Sequence, residues 1–179
     1  MKQCMYYQVD PLQIPGLKDE KMGGYPYWPQ GRKRLDSNYV LLAQVHYQKG
    51  MLQFFINQNN YQDGKVIFHE SLTDEGLAGK KFVQCDLDLL QLEHPSKLKS
   101  HMQCMDEEES HLFGKPFLWN PLLEDDILLF QLNCLCLGPV CCGSPSSFLF
   151  SMKPEDLQKN DFSQVCIHFD SYEAMAKKG

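Results

Sequence analysis

A chain of 179 residues, 43% of them hydrophobic, is long enough for one core or two small halves sharing it, and too apolar for a disordered segment. A formal charge of −6 repels phosphate backbones, and the one run of three basic residues, Arg32-Lys33-Arg34, reads as a solvated loop; nucleic acid is excluded as a partner. No stretch reaches the roughly 20 apolar residues a membrane span needs.

The first 22 residues, punctuated by Pro11 and Pro15, read as an extended lead-in. Gly23-Gly24-Tyr25-Pro26-Tyr27-Trp28-Pro29 follows, a loop whose prolines bar a helix and whose aromatics can clamp a core. Tyr39–Tyr47, Met51–Ile56 and Lys65–Glu70 are rich in β-branched and aromatic residues and read as three strands of an antiparallel meander. Gly50 and Asp63-Gly64 are the expected turns. Over 71–112, a connector by this reading, Phe82–Cys85 suggests a short strand and Pro95 the start of a helix running to Met105.

Beyond 112 the opening theme returns. Gly114-Lys115-Pro116-Phe117-Leu118-Trp119 echoes Gly24–Trp28, and Ile127–Leu132 echoes Val40–Val45. Ser147–Phe150 echoes Gln53–Ile56, and Gln164–Phe169 echoes Gly64–His69. The shared order implies a duplication, with half-repeats at 22–70 and 113–172. Pro154-Glu155-Asp156 adds a helix start, with acids placed at the positive end of the dipole. The expected fold is α+β: predominantly antiparallel sheet in one domain over 1–179, two pseudo-repeated halves packed together, and a few short helices.

The first-half motifs resemble the YwqG-like family of uncharacterised bacterial proteins. The residues that carry the resemblance are Gly23-Gly24-Tyr25-Pro26-Tyr27, Leu41-Leu42-Ala43-Gln44, Gly50–Ile56 and Val66-Ile67-Phe68-His69-Glu70. The second half matches through Gly114–Phe117, Leu128–Gln131 and Asp161–Val165. Where the family carries a Trp-Gly-Asp turn, this chain has Cys141-Cys142-Gly143-Ser144-Pro145. The resemblance implies a shortened, divergent member and brings no agreed activity with it.

Three constellations bear on function. Tyr25, Tyr27 and Trp28, with Phe117 and Trp119, can frame an aromatic groove for a protein or peptide partner. His69-Glu70 and His168 with Asp170 stand at corresponding places in the halves and offer a His/carboxylate base, with Cys166 or Ser171 as nucleophile. Cys134, Cys136, Cys141 and Cys142 are four thiols suited to a structural zinc, although their spacing and apolar setting favour plain packing. Gln44 and Gln131, buried amides in apolar strands, must find partners, which the repeat suggests lie across its axis.

P-loop, dinucleotide-binding, Gly-x-Ser-x-Gly and His-Glu-x-x-His motifs are absent. The leading expectation is therefore a non-catalytic binding or interaction module without a cofactor. A hydrolase-like site between the halves and a zinc-stabilised module are the alternatives. The start of the chain, Met1–Tyr7, lacks the apolar run of a leader. A cytoplasmic setting follows, and its eight Cys are expected as reduced thiols.

Overall fold

A computed structural model describes residues 3–10, 12–73, 77–78, 95–103, 110–116, 125–133 and 146–171. Among them run β1 (Met5–Asp10), β2 (Lys21–Met22), β3 (Tyr27–Trp28), β4 (Tyr39–Tyr47), β5 (Gly50–Asn57) and β6 (Asn60–His69). Then come β7 (Leu77–Ala78), β8 (Ser96–His101), β9 (Ser110–Leu112), β10 (Ile127–Asn133), β11 (Ser146–Met152), α1 (Pro154–Lys159) and β12 (Cys166–Ser171).

The fold is mostly antiparallel β, which corrects the α+β expectation: the described residues hold one short helix, of six residues. That helix starts as its sequence predicts, with Pro154 in the first turn beside Glu155 and Asp156, and it ends at a left-handed Asn160. The helix expected from Pro95 is instead strand β8. Leu98 is buried there while Lys99 and Ser100 are exposed, and Ser96 and Lys97 pair with Met22 and Lys21. Phe82–Cys85 lies outside the described residues.

The chain divides into two units, one continuous (Asp10–Leu98) and one split (Met1–Val9 with Lys99–Gly179). In the continuous unit the strand order is β8-β2-β4-β5-β6, and β3 pairs separately with β7. In the split unit it is β1-β9-β10-β11-β12. The lead-in segment thus supplies two strands, and the connector supplies β7, β8 and β9.

The expected meander is present as β4-β5-β6. Its second turn falls at Gln58-Asn59, not at Asp63-Gly64, which lies inside β6. Asn57 fixes this: its side-chain oxygen accepts from the Asn59 N–H at 3.0 Å, and its amide donates to Asp63 at 2.8 Å. The Tyr39 hydroxyl donates to the same carboxylate. At the first turn Gly50 is obligatory, because a Cβ there would stand 1.8 Å from the His69 carbonyl oxygen.

Each unit carries a bulge at the same motif. Leu42 is the extra residue between Leu41↔Phe55 and Ala43↔Phe54. Leu129 is the extra residue between Leu128↔Ser151 and Phe130↔Phe150. The Leu42 carbonyl accepts from Gly23 N–H at 3.0 Å, and the Leu129 carbonyl from Phe113 N–H at 2.9 Å. Gly23-Gly24 and Phe113-Gly114 all adopt positive φ. Replacing Gly24 would drive a Cβ against Pro95 at 2.6 Å, which is why only glycine suits the site.

One face of each sheet is apolar. Met22, Ala43, Val45, Leu52 and Phe54 line it in the continuous unit; Tyr7, Leu112, Phe130, Leu132, Phe148 and Phe150 line it in the split unit. The Phe side chains are fully buried, each contributing about 2–3 kcal/mol relative to exposure. The opposite face is also buried but carries polar groups, so β4 and β10 read as near-continuous apolar runs interrupted by Gln44 and Gln131.

Candidate functional site

The opposite face of the continuous unit holds the most developed polar arrangement among the described residues. Lys21, Gln44, Gln53 and Ile67 stand side by side across β2, β4, β5 and β6. His69 lies two residues beyond Ile67 on the same face. The loop from Gly23 to Leu35 folds over this surface and seats Tyr27 and Trp28 on it. Trp28 packs on Leu41 and Phe55, and both aromatic rings meet His69 edge-on, at 5.3 Å from Tyr27 and 5.9 Å from Trp28.

The hydrogen bonds there have a fixed direction. Arg32 can only donate, and its Nη1 donates to the Phe68 carbonyl and to His69 Nδ1, each at 3.0 Å. His69 Nδ1 is therefore the acceptor, the proton sits on Nε2, and that group donates to Gln53 Oε1 at 2.8 Å. The Gln53 amide then donates to the Tyr27 carbonyl at 2.7 Å and to Gln44 Oε1 at 3.1 Å. Gln44 Oε1 also accepts from Tyr27 N–H, and its amide donates to the carbonyls of Leu17 and Asp19, both at 2.8 Å. One permanently charged group thus sets the tautomer of a histidine and the orientation of two amides.

Burial pushes the His69 imidazole down to about 4, and the Arg32 charge adds to the effect. Its neutral form is the one the relay needs. Lys21, also buried, is held down to about 8, mainly by desolvation, with Asp19 opposing. Its ammonium donates to the carbonyls of Gly16 and Leu17. Asp19 is anchored by the Gly16 N–H at 2.8 Å and by an ion pair with Lys97 at 3.4 Å.

The expected aromatic groove is not a surface at Tyr27 and Trp28, which are buried; Tyr25 is 40% exposed. Phe117 and Trp119 lie outside the described residues. Gln44 bonds within its own unit, through strand β5 and the two loops. Glu70 is exposed beside His69. His168 lies in β12 of the split unit, opposite Leu149. Counted from the bulges, His168 takes the position of Ile67, and Asp170 that of His69. The two histidines therefore occupy different rows of their sheets. The side chains of Asp170 and Ser171 lie outside the described set.

Cys134, Cys136, Cys141 and Cys142 also lie outside the described residues. Among the residues described, no group of three or more His, Cys, Asp or Glu is placed to hold a metal ion; Cys166 forms no disulfide, and the Cys4 thiol donates to the Phe113 carbonyl at 3.3 Å. Two participants escaped the sequence reading. Arg32 looked like a solvated charge, and Gln53 like one polar residue in a strand. The signal available for Gln53 was an amide in an unbroken apolar run, as at Gln44.

No helix among the described residues is long and apolar enough to cross a membrane. No protein-family model matches this chain, and no curated protein matches it.

Proposed function

We propose that this chain is a non-catalytic binding or interaction module for a protein or peptide partner, working in the cytoplasm. The observation that carries the reading is the closure of the His69 relay. Both ring nitrogens are used by the protein itself, at 3.0 and 2.8 Å, and the ring stays neutral to about pH 4. A general base must offer a free lone pair to its substrate, and His69 has none to offer. Polar residues that look catalytic in sequence serve here to fix one conformation of the loops over β4 and β5.

Apolar side chains left in solvent give such a module its contact points. Leu12 and Ile14 are each 92% exposed, and Tyr25 is 40% exposed. Large apolar groups held in water are the usual anchors of protein interfaces.

Kinship with the YwqG-like proteins and origin by duplication belong to the same proposal. The Gly-Gly, Leu-Leu-Ala-Gln, Leu-Gln-Phe-Phe and Ile-Phe-His stretches build the bulge, the relay and the loop seat. The matched bulges and their paired loop contacts support the duplication.

The test is native mass spectrometry of the protein isolated gently from the cells that make it. The wild type is expected to carry a stoichiometric protein partner. The Leu12→Asp, Ile14→Asp double variant is expected to come through bare with its denaturation midpoint unchanged. A bare wild type, or a partner retained by the folded variant, overturns the proposal.

A further inference from the structure

Strand β1 pairs with β9 in the split unit, yet the chain leaves that unit after Val9 and returns to it only at Lys99. The seat of β1 is therefore made by residues that follow the whole continuous unit. Tyr7 is buried there and meets Phe130 edge-on at 6.1 Å. The Tyr6 ring lies 5.6 Å from that of His111, and the Cys4 thiol is held by the Phe113 carbonyl. These contacts are the same whichever copy of the chain supplies the strand, which is the condition for exchanging an identical element between protomers.

The connection out of β1 changes character at Gly16. From there it is tied to the continuous unit: the Gly16 carbonyl accepts from Lys21 at 3.0 Å, and the Leu17 carbonyl from Gln44 at 2.8 Å. Between Asp10 and Gly16 the sequence reads Pro11-Leu12-Gln13-Ile14-Pro15. Two exposed hydrogen bonds hold this stretch. Lys97 donates to Gln13 Oε1 at 3.0 Å, and the Leu12 N–H donates to the Asp10 carboxylate at 3.1 Å. Lys97 keeps its ion pair with Asp19 when the first of these opens. Leu12 and Ile14, on either side of Gln13, are the most exposed large apolar side chains described, a surface that the monomer leaves in water.

The pentapeptide reads the same in both directions, but for Leu against Ile. Laid antiparallel on its copy about Gln13, it sets Leu12 of each copy opposite Ile14 of the other, the isologous contact of a two-fold dimer. The prolines donate no hydrogen bond and so confine backbone pairing to the residues between them. Two side chains from each copy cover far less than the roughly 800 Å² per partner of a stable interface. Contact between pentapeptides alone thus makes no lasting dimer. Exchange of β1 does, because the copies then separate only when β1 is pulled from its seat.

We propose that the partner of this chain is a second copy of itself, joined by reciprocal exchange of β1, with the two Pro11–Pro15 segments packed on each other. The inference rests on the interaction-module reading and names its partner.

The test uses the full chain. Isotope-labelled and unlabelled copies are mixed, unfolded in urea and refolded together at about 0.3 mM, a concentration that favours association by mass action. Sedimentation is expected to show a dimer. In that dimer, isotope-filtered NMR is expected to place Tyr7 of a labelled copy against Phe130 of an unlabelled one. The Leu12→Asp, Ile14→Asp double variant, altered only where the monomer is exposed, is expected to dimerise about a hundredfold more weakly, or worse. A chain that stays monomeric, a dimer whose Tyr7–Phe130 contacts lie only within copies, or a dimer undiminished in the folded variant overturns the exchange. Native mass spectrometry keeps the two readings apart. A partner of another mass leaves the interaction module standing and overturns the self-exchange, whereas a bare monomer overturns both.

Discussion

Acid should unlock the His69 relay. Protonating this ring places a second N–H on Nδ1, against the Arg32 guanidinium that now donates to it at 3.0 Å. The folded-state pKa is about 4, against an ordinary value of 6.5. Because it is depressed, the unfolded chain takes up the proton first as pH falls. The stabilisation is therefore complete above pH 6.5 and is lost progressively down to about pH 4. A difference of 2.5 units at about 1.4 kcal/mol each amounts to about 3 kcal/mol, a large part of a small protein's stability. Urea unfolding of wild type and of His69→Gln at pH 7, 6, 5 and 4 isolates the contribution, since all other groups titrate in both proteins. The wild type should lose about 3 kcal/mol more than the variant across that range. Parallel curves, or an NMR titration of His69 near 6.5, would falsify the relay as described.

Three further outcomes follow from the same geometry. Gln53→Leu strands the His69 Nε2–H and the Tyr27 carbonyl in the interior, and should cost about 2–5 kcal/mol in chemical denaturation; a loss below about 1 kcal/mol would mean that water replaces the amide. Gly50→Ala puts a methyl 1.8 Å from a backbone oxygen, and should cost about 3 kcal/mol or more, measured the same way. Lys21, whose folded pKa is about 8 against 10.5, binds its proton less readily folded than unfolded, so stability should rise with pH between 8 and 10.5. That rise should be missing in Lys21→Met, and an equal slope in both proteins would show that the ammonium stays hydrated.

The central strands were legible because they carry the strongest local signal. Tyr39–Tyr47 and Ile127–Asn133 combine β-branched, aromatic and aliphatic residues without a breaker, and periodicity is hardly needed to assign them. The two-residue strands β2 and β3 carry no such signal, since they exist only through pairing with distant partners. At Pro95 the helix-start rule lost to tertiary context: Leu98 buries between two exposed or half-exposed neighbours, a period of two that six residues show only faintly. The register of β11 was misread because Phe148 and Phe150 match Phe54 by composition, whereas pairing with β10 aligns Phe150 alone with it.

The site was legible in part for a similar reason. His69 and Gln44 stood out as polar residues in apolar strands, but their meaning depended on Arg32, on a loop whose charge gave no hint of its target.

The placement of β1 has a consequence for how the chain is made. This strand leaves the ribosome well before its partner residues, which lie far along the sequence, Met5 pairing with Leu112 and Tyr7 with Ser110. Strand β2 must likewise wait for Lys97 to reach Lys21. Contacts of such separation pay their loop-closure entropy late and slow the search for the native state. During synthesis the meander β4-β5-β6 can assemble from its local turns, while β1 waits unpaired until the later strands have emerged. An unpaired strand is open to the wrong neighbour, so nascent copies on one message are exposed to exchanging their first strands with each other.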